Sequence, residues 1–245
     1  MRVESELIQA EQQIEDTYWW FIGRRIILDR ALRYLGGRSP LAVDVGCGSG
    51  RNLEVLARHA DRVLGLDYSP TAVKLAAGRG FTVFRASGDA IPLSSSSTHL
   101  IAALDVLEHL DDDMAALAEF HRVLRTGGNL LLAVPAYRFL WSEHDEALRH
   151  RRRYIASELH IKLNRTGFEV LKKSYMAFFV FFPIVAYRLF RGIFPKDPMA
   201  PKASHVRVPA FLNHLFVWLL ALEARLIRTV NLPFGSSILI VARKR

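Results

Sequence analysis

Cysteine is nearly absent from this chain: Cys47 is the one example in 245 residues. That excludes a disulfide framework and any metal centre built on several thiolates, and it makes a reducing, cytosolic setting the expectation. Long uninterrupted apolar runs are also missing. Tyr175 to Phe190 and Pro209 to Ile227 are strongly apolar, but Pro183 interrupts the first and Asn213 with His214 the second. A transmembrane helix needs about twenty consecutive apolar residues, so neither reads as a span. The opening MRVESELIQAEQQIED lacks the apolar centre of a signal peptide. Acidic residues are outnumbered, 24 Asp and Glu against 33 Lys and Arg, a formal charge of +9. Such a balance admits nucleic acid, an anionic membrane surface or a phosphorylated substrate as partner. Nucleic acid is disfavoured, because no recognised binding module is present and the basic residues lie beside apolar runs rather than in a separate polar stripe.

What is present begins with an apolar core sufficient for one α/β domain. Its organising stretch is VDVGCGSG, Val43 to Gly50. A buried strand runs into a turn with glycine at every second position, Gly46, Gly48 and Gly50, and an acidic residue, Asp44, two before the first. Glycine lets the backbone approach a ligand closely, and the helix that follows points free N–H groups at whatever sits there. The spacing departs from the G-x-G-x-x-G of a dinucleotide site, since Arg51 follows directly.

Strands are expected at Leu41 to Val45, at RVLGLD ending in Asp67, at FTVFRAS, at HLIAAL before Asp105, at Asn129 to Val134, at FEVLKKSYM and at Ser236 to Lys244. Helices are expected over Asn52 to Ala60, Thr71 to Gly78 and Ser157 to Gly167. The alternation argues for a doubly wound, mostly parallel sheet with ligands at the carboxyl ends of its strands. Asp44, Asp67, Asp89 and Asp105 all fall at such ends.

This ordered set of motifs, over residues 41 to 135, resembles the core of the class I S-adenosylmethionine (SAM)-dependent methyltransferases. It is similar in particular to the small-molecule branch related to ubiquinone and menaquinone biosynthesis enzymes. The resemblance implies a seven-stranded Rossmann-like methyltransferase fold in a single domain. Residues 1–38 form an N-terminal helical cap, 39–175 the SAM-binding core, 176–234 an apolar helical insertion and 235–245 the last strand. It implies SAM as cofactor, with Asp44, Gly46, Cys47, Gly48 and Gly50 around it, Asp67 and Tyr68 at the ribose, Asp89 and Ala90 at the adenine, and Asp105 nearby. The plainer alternative is a helix-capping or turn aspartate for Asp67 and a loop aspartate satisfying its own backbone for Asp89.

The methyl acceptor is carried by other residues. Trp19 and Trp20, in YWWFIGRR, either close the core beneath the sheet or cover the substrate mouth, with Arg24 and Arg25 toward an anionic group. YRFLWSEHDEALRHRRRY, Tyr137 to Tyr154, offers three readings. It is a solvated basic helix; or His144 or Asp145 is a general base; or its arginines clamp an anionic substrate. Trp141, His150, Arg152 and Arg153 are the substrate candidates there, and His109 is a further catalytic candidate. Asp105, Glu108 and His109 resemble a divalent-metal set of some O-methyltransferases, but Asp stands where that set has Glu. They are read instead as pocket-lining, with Glu108 capping or orienting the other two and no metal assigned. The apolar insertion, flanked by cations, reads as two helices in a membrane interface or as a hairpin buried against the domain. The expected activity is methylation of an amphipathic or lipid-linked small molecule at oxygen, by a cytoplasmic protein peripheral to the inner membrane face. A SAM-binding scaffold on a membrane enzyme and a nucleic-acid methyltransferase are the alternatives.

Overall fold

A computed structural model describes residues 2–190 and 208–245 of the chain. Two helices, α1 (Arg2–Ile14) and α2 (Trp19–Leu35), precede strand β1 (Ser39–Val45). Then follow α3 (Arg51–Leu56), β2 (Ala60–Asp67), α4 (Pro70–Gly78), β3 (Thr82–Arg85), β4 (Thr98–Leu104), α5 (Asp113–Val123) and β5 (Leu124–Pro135). The remainder is α6 (Glu143–Ala147), α7 (Ala156–Arg165), β6 (Phe168–Met176), α8 (Phe181–Phe190), α9 (Ala210–Leu226) and β7 (Ser237–Lys244). The sheet has seven strands in the order β3-β2-β1-β4-β5-β7-β6, with β7 antiparallel to both neighbours and the other pairs parallel.

Strands covered on both faces read as near-continuous apolar runs, and LIAAL in β4 and LLLAV in β5 are of that kind. One face packs on α5 and α7 through Leu117, Phe120, Leu159 and Leu163. The other packs on α2, α3 and α9 through Ile27, Leu28, Leu56, Leu220 and Ala224. Helices α2 and α9 touch because Gly23 has no side chain: a Cβ there would stand 2.2 Å from Cδ1 of Leu220. The strand order reverses between β1 and β4, and such a switch point opens a crevice at the carboxyl ends. Register brings those ends level, with Val45 beside Leu66 on β2 and Ala103 on β4.

Several local expectations are corrected. The helix after the glycine turn ends at Leu56, not Ala60, because Ala60 already opens β2 against Ser39. The fifth strand starts at Leu124 rather than at the expected Asn129, so that Thr126-Gly127-Gly128 lies inside β5, where the register with β4 shifts and Gly127 takes φ +75°. Tyr137 to Tyr154 is not one solvated helix. It folds as a 3-10 turn over Arg138–Leu140, the five-residue α6, and an irregular run pinned where Ala136 bridges Tyr154. α6 is short and sharply started: Ser142 and Asp145 form a reciprocal capping box.

Of the apolar insertion, α9 lays one side on α2 and leaves Phe211, Leu215 and Trp218 exposed, a stripe at helical spacing. Among the described residues, no helix is long and apolar enough to cross a membrane. The predicted flanking cations Arg191, Lys196, Lys202 and Arg207 lie outside the described residues.

Candidate active site at the carboxyl edge of the sheet

A cavity of about 1140 Å³ occupies the switch-point crevice. Its floor is the glycine turn and the ends of β2 and β4, and α2, α8 and α9 contribute to its walls. Gly46, Cys47, Gly48, Asp67, Tyr68, Asp105, His109, His144, His150, Arg153, Trp19 and Trp20 all line it. Those twelve positions, scattered from residue 19 to residue 153, are brought together by the fold.

The glycine turn is held from below. Gly46 and Cys47 donate their N–H groups to the Leu66 carbonyl, and Gly48 N–H donates to Oδ2 of Asp67 at 2.9 Å. The other Asp67 oxygen accepts from Ser69 N–H at 2.8 Å. Gly46 takes φ +71°, and a Cβ there would meet Val106 at 2.3 Å. Gly48 takes φ +54°, and a Cβ on it would point into open space. A side-chain-free cradle facing a cavity, with a carboxylate beside it, fits a ligand carrying hydroxyls and a flat ring. Gly50 acts differently: it caps α3 and lets it approach Ala76 of α4, away from the cavity.

Asp44 is fully buried behind the turn, and neither carboxylate oxygen has a hydrogen-bond partner. Burial, against the opposing pull of Arg24, pushes its pKa up to about 8. Asp105 ends β4 at φ +57° and is ion-paired with Arg24 of α2. Asp89 and Ala90 are exposed on the loop after β3, and their neighbours Ser87 and Gly88 face the cavity instead.

The helical cap is latched onto the turn. Glu15, nearly buried, accepts from Ser49 and pairs with Arg51 and Arg79. Trp19 is buried with its ring edge on Phe216 of α9, 5.2 Å between centroids; its indole N–H has no hydrogen-bond partner, and its backbone N–H donates to Oδ1 of Asn213 at 2.9 Å. Trp19 and Trp20 therefore both close core and wall the cavity. Nothing in the sequence pattern signalled Glu15, and the pairing of Arg24 with a residue 81 positions away has no local signature.

The acceptor segment sorts into two groups. His144, Arg149, His150, Arg151 and Arg153 line the cavity. Asp145 does not: it is fully buried, capping α6 and held by His150 at 2.9 Å, Arg153 at 2.7 Å and Arg188 at 3.5 Å. These partners, outweighing burial, hold its carboxyl well below the usual range, so it is a poor proton acceptor and a positioning residue. Arg152 points away to Asp113 and the carbonyls of Leu110 and Asp111, and Trp141 lies outside the cavity. Arg153 is only 4% exposed and bonds the Ala136 carbonyl as well as Asp145, which leaves little of its guanidinium for a substrate.

Burial and the neighbouring His150 lower the His109 pKa to about 4, so its imidazole is neutral. Glu108, on the 3-10 turn Leu107–His109, caps nothing: it is fully buried and both oxygens lack a hydrogen-bond partner. Burial and Asp105 raise its pKa well above the ordinary carboxylate value.

Comparison with known proteins agrees with this geometry. Residues 43–132 match the methyltransferase domain family model. A Mycolicibacterium smegmatis protein named "Probable S-adenosylmethionine-dependent methyltransferase" is 33% identical over 160 residues, 64% of this chain and 61% of that one. A ubiquinone biosynthesis O-methyltransferase of Xylella fastidiosa is 30% identical over 42% of this chain and 46% of its own length. The chain thus spans about half to three-fifths of the curated relatives it matches. A solved SAM-dependent methyltransferase of Thermotoga maritima superposes with a TM-score of 0.64 at 18% identity, covering 100% of this chain and 99% of that one. Residues 43–132 thus carry a methyltransferase domain, and the chain as a whole has the fold of the solved SAM-dependent methyltransferase that it superposes on.

Proposed function

We propose that the protein transfers a methyl group from SAM to an oxygen atom of an amphipathic or lipid-linked small molecule, at a membrane surface. One observation carries this reading: a single cavity extends from the glycine turn to an apolar mouth formed with α8 and α9. Single small ligands occupy pockets of about 300–1000 Å³. The larger volume here, about 1140 Å³, leaves room for cofactor and acceptor together. Val180, Pro183, Ile184, Leu212 and Phe216 line the apolar side, while His109, His144, Arg149 and Arg151 line the polar side. A molecule with a polar head and an apolar tail satisfies both.

SAM supplies an electrophilic methyl on a sulfonium when bound. Asp67, already fixed by two backbone N–H groups, is suited to accept from the ribose hydroxyls, and the loop carrying Asp89 and Ala90 to border the adenine. Arg24 lines the cavity with its Nε unpartnered, which suits it to the methionyl carboxylate. Asp44, buried outside the cavity with its pKa raised to about 8, backs the turn rather than meeting the ligand. For an in-line transfer the main contribution of the protein is orientation and exclusion of water. As the new C–O bond forms, the acceptor oxygen becomes strongly acidic, so even a weakly basic imidazole such as His109 suffices to take its proton, and His144 is the second candidate. The exposed stripe Phe211, Leu215 and Trp218, together with the net charge of +9, supports peripheral contact with an anionic membrane.

Calorimetry with SAM tests the cofactor half. Gly48→Arg, which fills the open cradle, is expected to abolish binding and Asp67→Ala to weaken it; no binding by the unmutated protein overturns the reading. Transfer of radiolabelled methyl into a lipid and glycan extract tests the acceptor half. Label recovered in water-soluble molecules alone refutes a lipidic acceptor.

A further inference from the structure

On the reading that the cavity holds an amphipathic acceptor beside SAM, we propose that Arg149 binds the acceptor's head, and that this head carries a phosphate monoester. Seven arginines line the cavity, and six of them already face an acid. Arg24 pairs with Asp105, Arg25 with Asp16, Arg51 with Glu15, Arg151 with Asp111, and Arg153 and Arg188 both with Asp145. The exposed guanidinium of Arg149 has no hydrogen bond or ion pair among the described residues. It is the positive charge that this wall leaves over for a ligand.

The backbone supplies an independent reason. Arg149 stands just past the end of α6 at φ +57°. Its N–H donates to the Glu146 carbonyl at 3.0 Å, and the His150 N–H donates to the Asp145 carbonyl at 2.8 Å. These are the paired bonds of a Schellman stop, with Arg149 in the left-handed position that glycine ordinarily fills. A side chain there crowds the following carbonyl, so local structure favours glycine and disfavours arginine. Nor does packing call for a long side chain, since this one is exposed. Strain of this kind is kept where the side chain serves a site. Here it sets a guanidinium at the cavity from a base that cannot drift, because the buried Asp145 caps α6 and holds His150 and Arg153 on either side.

The chemistry of the neighbours selects the anion. A guanidinium presents a planar fork that two oxygens of one oxyanion can fill together. A second fork stands two residues on: Arg151 lines the same wall and is held by Asp111 in a bridge whose side chains are 50% and 80% exposed. Exposed pairs of this kind are weak, so Arg151 is free to turn to a ligand. Two forks suit the three acceptor oxygens and near-double charge of a phosphate monoester better than the two oxygens and single charge of a carboxylate. Ile184 and Phe216 on the apolar side of the cavity take the tail, and the phosphate is the handle that orients the molecule.

The test uses the full chain saturated with S-adenosylhomocysteine, so that the cofactor's own place is filled. Two probes share a tail and differ in head, decyl phosphate and the uncharged decyl glucoside, each kept below its micellar range. Calorimetry is expected to show decyl phosphate bound at least about 10-fold more tightly than decyl glucoside. Arg149→Gly should weaken decyl phosphate at least about 10-fold and leave decyl glucoside within about 2-fold. The same variant should unfold at an unchanged or higher urea concentration, because glycine suits the backbone there. Arg149→Lys, which keeps the charge and loses the fork, should fall between the two. Equal affinity for both heads in the parent, or an equal loss of both in Arg149→Gly, overturns the proposal. So does a lowered urea midpoint in Arg149→Gly, which would make the arginine structural. Inorganic phosphate bound as tightly as decyl phosphate would assign the subsite to a free anion and overturn the tailed acceptor. The two failures are separable: decyl glucoside bound as well as decyl phosphate removes the anion and leaves the amphipathic reading standing, whereas neither amphiphile bound by the loaded protein removes both.

Discussion

The contact between Gly23 and Leu220 sets two opposed effects against each other. Gly23 sits inside α2, where replacing glycine by alanine ordinarily stabilises a helix by about 1 kcal/mol. A Cβ at this position, however, would lie 2.2 Å from Cδ1, 2.8 Å from Cβ and 3.0 Å from Cγ of Leu220. Favourable carbon contacts begin at about 3.5–4.0 Å. A new rotamer can move Cδ1 and Cγ, but the Leu220 Cβ is fixed to the α9 backbone, so the helices must part by roughly 1 Å. Overpacking of this kind costs about 1–3 kcal/mol, and Gly23→Ala should therefore be destabilising by up to about 2 kcal/mol after the propensity gain. For a chain of this size the melting temperature should fall by up to about 8 °C. Leu220→Ala, emptying a site that is 1% exposed, should cost about 2–5 kcal/mol alone. In the double variant two of the three contacts are gone, so its loss should be smaller than the sum of the singles by about 1 kcal/mol. Urea unfolding of the four proteins measures this coupling. Independent sites add within about 0.3–0.5 kcal/mol. Additivity within that margin, or a Gly23→Ala protein more stable than the parent, would refute close packing of α2 on α9 as the reason for a glycine at 23.

Three further outcomes are expected. Glu223 of α9 is fully buried, accepting from the N–H groups of Ala177 at 2.7 Å and Phe178 at 2.9 Å, and burial pushes its pKa up to about 7 from 4.5. The folded protein holds that proton more tightly than the unfolded chain, so this group's contribution is greatest below about pH 4.5 and declines by about 3 kcal/mol as pH rises to 7; Glu223→Gln should flatten the difference between urea midpoints at pH 5 and pH 8, and an undiminished difference would count against it. Asp145→Asn strips the nearly buried Arg153 of its counter-charge and should cost about 3–5 kcal/mol, seen as a melting temperature lowered by at least about 6 °C; a shift under 2 °C would show the pair to be dispensable. The triple change Phe211→Ser, Leu215→Ser and Trp218→Ser should leave SAM affinity unchanged but reduce flotation with anionic vesicles, and equal flotation would exclude this stripe from membrane contact.

Much of the fold was legible because its signals are local. β6 falls where FEVLKKSYM was read, and β1, β4 and β7 fall within a few residues of expectation, since a doubly covered strand writes its burial as an apolar run. The glycine turn was equally plain, for positive φ and close approach are demands that few residues other than glycine meet. The errors fall where a boundary is fixed by a partner strand: Ala60 is as good a helix residue as any, and only pairing with Ser39 makes it strand. Tyr137 to Tyr154 misled for a related reason. A run of four cations in five residues looks solvated until the fold supplies buried acids, Asp113 for Arg152 and Asp145 for Arg153.

The same distinction divides the site. Positions on the cofactor side are set by strand ends, and sequence order alone lines up Asp44, Asp67 and Asp105 along one edge of the sheet. Positions on the acceptor side depend on which way side chains turn after the chain has crossed β5, and alternate residues there have opposite fates: Arg151 faces the cavity, Arg152 turns to Asp113, and Arg153 is drawn to Asp145. Asp145 decides the outcome. By holding both His150 and Arg153 from a position that substrate cannot reach, it converts a flexible basic segment into a fixed wall. A carboxylate in that position is more valuable as an anchor than as a base, and the unpaired Glu108 that His150 is turned to face is a direct consequence of the anchoring.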